Sequence, residues 1–190
     1  MRKKDIEKEN AIYNAAIEII SRLGFENASM SKIAKKANVS PSTIYVYFDN
    51  KEDMLNKVYL KAKQKSSEFV LSFITDNCGV EQGTRAFLKN LFTYALNNPV
   101  EYLFTEHFSN SPNINKVSRE QGMEFYKKAI DLIERGVNQG IIKDLNLDII
   151  LAFSIAPINK LVKAHHIGDL VLNENIIEKT IDIIIEIFKK

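Results

Sequence analysis

The sequence predicts an all-α protein, and three observations predict it. Apolar residues recur at helical spacing along most of the 190 residues. Only seven Gly and four Pro interrupt the chain, which leaves room for long helices. No segment alternates apolar and polar residues between turn signals as a half-buried strand does, and no internal repeat is visible.

The elements follow in order. Ile12, Ala15, Ala16, Ile19, Ile20 and Leu23 mark one buried face of a first helix, with Glu7, Lys8, Glu18 and Arg22 off it. Gly24 then stands where a left-handed residue ends a helix, and Phe25 can fold back on the last turn. Ser29 is a favoured cap for a short second helix whose inner side is Met30, Ile33, Ala34 and Ala37. Asn38 tolerates the left-handed backbone of a tight turn. Ser40-Pro41 starts a third short helix, with a cap residue followed by a residue suited to the first helical position. Ile44 and Phe48, four apart, face inward on it.

Asp49 to Asp53 breaks and restarts the chain, with Asn50 as cap and Glu52 and Asp53 at the positive end of the next helix dipole. That fourth helix carries Met54, Leu55, Val58, Tyr59 and Ala62 and extends to about residue 74. Further helices are expected near 81–97, 99–109, 115–138, 147–166 and 174–189, with Pro157 inside a helix-like run.

Composition narrows the function classes. Apolar residues make up 45% and charged residues 26%, which excludes a disordered or collagen-like chain. The single Cys78 excludes an intramolecular disulfide and a cysteine-based zinc site. The basic Met1-Arg2-Lys3-Lys4 is followed by charged residues where a signal peptide needs an apolar run. The most apolar stretch, Ile149 to Ile158, is half the roughly twenty residues of a membrane span. A cytoplasmic protein without a membrane partner is expected.

Residues 30–48 form two short helices joined by Asn38-Val39-Ser40. This is helix-turn-helix geometry, in which the second helix enters the DNA major groove. Ile33, Ala34, Ala37, Val39, Ile44 and Phe48 supply the apolar face that fixes the angle of the pair. Ser31, Pro41, Ser42, Thr43, Tyr45 and Tyr47 supply an outer face, where hydroxyls can donate to phosphate oxygens and Lys51 adds a charge. Taken alone, the tyrosines also fit as core aromatics, and Ser40-Pro41 as a generic helix start.

Gly24-Phe25, Ser29, Ile33-Ala34, Ala37, Val39-Ser40, Thr43-Ile44-Tyr45, Tyr47-Phe48, Lys51 and Leu55 together resemble the N-terminal domain of TetR/AcrR-type transcriptional repressors. The spacing matches over about residues 8–58 without a gap. Asn38 stands where the family usually has Gly, and Ser29 where Thr is commoner. The resemblance implies a three-helix helix-turn-helix DNA-binding domain at 1–50. A helical ligand-binding and dimerisation domain would follow at 51–190, with the helix from about 51 linking the two. It implies that Pro41, Ser42 and Val46 face base edges. Thr43, Tyr45, Tyr47 and Lys51 would mainly grip the backbone, with Tyr45 also able to reach a base, and Met30 and Ser31 would lie near the phosphates or the groove edge. No Arg, Asn or Gln lies between 40 and 48, so strong bidentate base contacts are missing. Specificity is then expected to lean on shape, water and register.

Two C-terminal segments are apolar around most of their circumference, 148–162 and 174–189. Only Glu174, Glu178, Asp182 and Glu186 recur as a solvated stripe. They read either as central core helices or as a dimer interface built around Phe153, Ile158, Leu161, Ile177, Ile181, Ile184 and Phe188. A two-fold homodimer matches a palindromic operator in double-stranded DNA.

The middle of the chain, 81–140, is rich in aromatics. In the family this region forms a pocket for a small-molecule inducer. Tyr102, His107, Phe108, Phe125 and Tyr126 are the candidates, and each also fits as plain core. No metal or other cofactor is expected, and His165-His166 read as a helix end. An enzyme is not expected either: Glu101 and Glu106 lie on different faces, and no convergent titratable set accompanies them. A constitutive DNA-binding regulator without an inducer stays open beside the ligand-released repressor.

The formal net charge of +2 lies wholly in residues 1–60, with ten Lys/Arg against eight Asp/Glu. Few ionic phosphate contacts and a modest salt slope are expected.

Overall fold

The computed structural model describes residues 3–75 and 77–190, with side chains from Ile6 onward. The basic side chains of the first four residues therefore lie outside the described part. The described residues form ten helices: α1 Lys3–Leu23, α2 Met30–Lys36, α3 Pro41–Tyr47, α4 Lys51–Val70, α5 Val80–Asn97, α6 Pro99–Ser109, α7 Lys116–Glu124, α8 Lys127–Asn138, α9 Leu147–His166 and α10 Glu174–Phe188. Pro157 sits inside α9. No described helix is long and apolar enough to cross a membrane.

The local signals act as the sequence predicts. Gly24 and Asn38 adopt the left-handed backbone, at φ 76° and 55°. Ser29 Oγ accepts from the Lys32 amide, Ser40 Oγ from Thr43 and Asn50 Oδ1 from Asp53, so all three caps are made.

The chain divides into two compact units. One comprises residues up to Lys63 together with Phe104–Gly122; the other comprises Gln64–Leu103 and Met123–Lys190. The first unit thus reaches beyond the expected boundary at residue 50 and takes in a distant segment. The reason is burial: Phe104, Phe108 and Ile114 share one core with Ile12, Ile33, Ile44, Met54 and Tyr59. Asn56, buried in α4, fastens that segment by donating to the Asn113 carbonyl and accepting from the Asn115 amide.

In the second unit α5 packs against α8, α9 and α10. Gly83 and Gly136 permit the close approach of α5 and α8. A Cβ on Gly136 would stand 2.5 Å from Ile142 Cδ1 and 2.8 Å from Val80 Cγ1. The helix expected over 115–138 is two helices, broken at Phe125-Tyr126, three residues after the first unit ends at Gly122. Nothing in the sequence punctuates that point. Tertiary contact does, since the Tyr126 hydroxyl is anchored on Ser66 Oγ at 2.9 Å.

The acidic stripe of α10 is not simply solvated. Arg85 on α5 pairs with Glu178 and Asp182, and Lys89 pairs with Glu174 and Glu178 at 2.7 Å each. His165 Nδ1 accepts from the Leu172 amide and so fastens the turn between α9 and α10.

Candidate nucleic-acid interface

α2 and α3 are locked from within. Ile33, Ala34, Ile44 and Phe48 are buried, and Ala37 and Val39 pack against them half-buried. α1 lies against α2 and completes a three-helix head. At about 100° per residue, Ser42 and Val46 fall on the side of α3 opposite Ile44 and Phe48. Val46 is 78% exposed and Tyr45 56%. Ser31, Pro41 and Ser42 are exposed as well, and Thr43 and Tyr47 are half-buried.

Two of the expected contact residues, Met30 and Lys51, also have partners inside the head. Met30 is buried, because the first residue of α2 points into the core of the head. Lys51 is half-buried: its Nζ donates to the Glu26 carbonyl at 3.1 Å and stands 4.3 Å from the Phe25 ring centroid. It ties the start of α4 to the loop after α1.

The hydroxyls of α3 also have internal partners. Ser40 Oγ shares hydrogen bonds of 2.8 Å with Ser42 Oγ and with Thr43 Oγ1, besides accepting from the Thr43 amide. Among the nearby cations, Lys36 pairs with Glu18 at 2.6 Å and Lys32 donates to the Asn27 carbonyl, whereas Lys35 stands exposed on α2. Sequence reasoning passed over Lys35; its place on the outer face beside the turn is the signal that finds it.

The residues expected to hold a ligand are divided between the two units. His107 is exposed with its ring edge against Phe108, and Phe108 is buried in the core of the first unit. Tyr102, Phe125 and Tyr126 belong to the second unit. There the Tyr102 hydroxyl bonds to Asn159, and the Tyr94 hydroxyl bonds to the buried Glu101, which also pairs with Lys65 at 3.0 Å. Burial, reinforced by the Glu101 carboxylate, raises the Tyr94 phenol above its usual range. A hollow of about 500 Å³ in the second unit is lined by Phe73, Cys78, Gly83, Ala86, Lys89 and Asn90, none of them among the expected residues.

The expected dimer residues also separate. Ile158, Ile177, Ile181, Ile184 and Phe188 are buried in the unit's own core, and Leu161 is half-buried against it. Phe153 is exposed, in a stripe with Ile149, Ala152 and Ala156 at the i, i+3, i+4, i+7 spacing of one face, and α10 exposes Ile183 and Ile187.

Comparison with known proteins adds to this geometry. Residues 12–58 match the family model described as bacterial regulatory proteins, tetR family. Residues 81–184 match that of the tetracyclin repressor-like C-terminal domain. A fatty acid metabolism regulator protein of Bacillus subtilis is 41% identical over 68 residues, which are 36% of this chain and only 34% of that protein. An uncharacterized helix-turn-helix-type transcriptional regulator of Haemophilus influenzae is 25% identical over 186 residues, 96% of each chain. Among solved structures, a TetR family transcription regulator from Marinobacter aquaeolei superposes with a TM-score of 0.94 at 23% identity, covering all of both chains. The transcriptional regulator FadR of Bacillus subtilis, in complex with stearoyl-CoA, superposes with a TM-score of 0.74 at 21% identity. It covers 93% of this chain and 97% of that one.

Proposed function

We propose, for a chain that belongs to the TetR family of bacterial regulatory proteins, that it works as a homodimeric repressor on a palindromic operator. It is a DNA-binding transcriptional regulator and not an enzyme. The observation that carries the reading is the outer face of α3. Tyr45 and Val46 stand in solvent on a helix whose opposite side is fully buried. A helix-turn-helix offers such a face to the major groove.

In this reading Pro41, Ser42 and Val46 meet base edges, and Tyr45 reaches either a base or the backbone. Ser31, Thr43, Tyr47, Lys35 and Lys51 hold the phosphates. The second copy docks on Ile149, Ala152, Phe153, Ala156, Ile183 and Ile187, where the two alanines let helices approach closely. A small molecule bound by the C-terminal unit releases the operator, which requires that it bind the non-binding state better. The stearoyl-CoA carried by a regulator of the same fold makes a long-chain acyl-CoA the first compound to try.

The test is selection of duplexes from a randomised DNA pool by the full-length protein, followed by binding measurements with and without stearoyl-CoA. A recovered palindrome with two equivalent half-sites supports the reading. Folded protein that retains no duplex at low salt sinks it. One observation favours regulation without an inducer: the hydroxyls of Tyr94, Tyr102 and Tyr126 are already engaged by protein partners. Operator binding indifferent to added ligands would select that second reading.

A further inference from the structure

α3 presents an unusual reading face. Its outermost side chain, Val46, has no hydrogen-bonding group and is 78% exposed. Its neighbour on the same face, Ser42, has its hydroxyl turned back to Ser40 Oγ at 2.8 Å, where Thr43 Oγ1 also bonds. No Arg, Asn or Gln lies between residues 40 and 48, so no bidentate donor competes for the centre of the face. At the centre of the face stands a pair of valine methyls.

On the major-groove edge of the four standard base pairs the only methyl group is the 5-methyl of thymine; cytosine offers only a C5–H at that place, and the other features that identify a base are donors or acceptors. A valine pressed on a donor or acceptor desolvates it without a partner, which is unfavourable. Pressed on a methyl, it removes apolar surface from water on both sides. We infer that Val46 is the specificity-determining residue of α3 and selects a thymine by its 5-methyl group in each half-site. This rests on the operator-binding reading above and deepens it.

The experiment uses the full-length protein and the duplexes it selects from a randomised pool. Each thymine of a half-site is replaced in turn by uracil, which keeps the base pairing and removes only the methyl. Binding of the native chain and of Val46→Ala is measured on every duplex. At one thymine, methyl removal weakens the native chain about fourfold, as expected for one buried methyl group. At that same thymine Val46→Ala binds the thymine and uracil duplexes equally well. The variant removes exposed atoms from a helix that favours Ala, so an unchanged thermal melt accompanies the result. If uracil at every thymine position weakens native and variant alike, or neither, the assignment to Val46 is overturned although operator binding stands. If no duplex is selected, both readings fall together.

Discussion

The Lys51 ammonium stands 4.3 Å from the centroid of the Phe25 ring, and the same nitrogen donates to the Glu26 carbonyl. A cation over an aromatic face joined to a hydrogen bond makes Lys51 a strut inside the head. The charge expected at the phosphates is held in place by that strut. Lys51→Ala therefore loses on two counts. Stability falls by about 1–2 kcal/mol, from the ring contact and the hydrogen bond together. Affinity falls by the same factor on operator and on random duplex, since a phosphate contact carries no sequence information. A urea melt identical to that of the native chain would show that the strut contributes nothing.

Ser40 gathers the first turn of α3. Its hydroxyl accepts from the Thr43 amide and bonds to the Ser42 and Thr43 hydroxyls. Ser40→Ala removes the cap and frees both neighbours, at a cost of roughly 0.5–2 kcal/mol. Ser40→Asp restores a cap acceptor and recovers most of that stability. Its added negative charge beside the groove keeps DNA affinity low. Equal affinity of the Asp variant and the native chain would remove this end of α3 from the interface.

Gly136 is a packing site rather than a turn. A methyl there meets Ile142 and Val80 side chains at 2.5–2.8 Å, and both of these residues are buried. Gly136→Ala should lower stability by about 1–3 kcal/mol through overpacking, despite the better helix propensity of Ala. Gly140→Ala is the contrast. It stands at φ 68° with open space around it, so its cost comes from the backbone and not from collision. A double variant in which Ile142→Val accompanies Gly136→Ala recovers part of the loss only if collision with Ile142 is its cause.

The Tyr94 phenol donates to the buried Glu101 carboxylate, and its pKa is raised by burial and by that neighbour. The folded state therefore favours the protonated phenol. Its contribution is fully present below about pH 10, the usual phenol value, and is lost as pH rises further. Tyr94→Phe leaves Glu101 with the Lys65 ammonium but without its phenol donor, at a cost of roughly 1–3 kcal/mol at pH 7. Denaturant melts of the two chains should stay a constant distance apart from pH 7 to 9 and converge above pH 10. A gap that widens with pH would contradict the assigned donor.

Phe153 and Ile183 are exposed on α9 and α10, whereas Ile181 is fully buried. If the exposed stripes seat a second copy, Phe153→Glu or Ile183→Glu yields a folded monomer in light scattering. Ile181→Glu instead unfolds the chain, because a charge enters the core without a partner. Unchanged mass for both exposed variants would move the dimer contact elsewhere.

Much of this molecule is legible one turn at a time. The two short helices α2 and α3, the caps at Ser29, Ser40 and Asn50, and the left-handed Gly24 and Asn38 depend on interactions over three or four residues. Such interactions are fully written in the local sequence. The same holds for the inner face of the helix-turn-helix, where period alone separates Ile44 and Phe48 from Tyr45 and Val46. Met30 carries two readings. The period puts it on the inner side of α2 while the family resemblance puts it near the phosphates, and the fold buries it as the period says.

What only the tertiary structure decided is how apolar and charged surface is shared out. On α9 and α10, apolar nearly all round, periodicity cannot say which isoleucines face the chain's own core. The packing of α5, α9 and α10 together decides it: Ile158 and Ile181 are buried, while Phe153 and Ile183 stay outside. It likewise gives Glu174, Glu178 and Asp182 to Arg85 and Lys89, about ninety residues away in sequence. Tertiary structure also breaks the chain at Phe125-Tyr126 without Gly or Pro and recruits Phe104–Gly122 to the head. The physical reason is one of range. Helices and caps follow from local bonds, but burial is settled by partners that no window of the sequence contains.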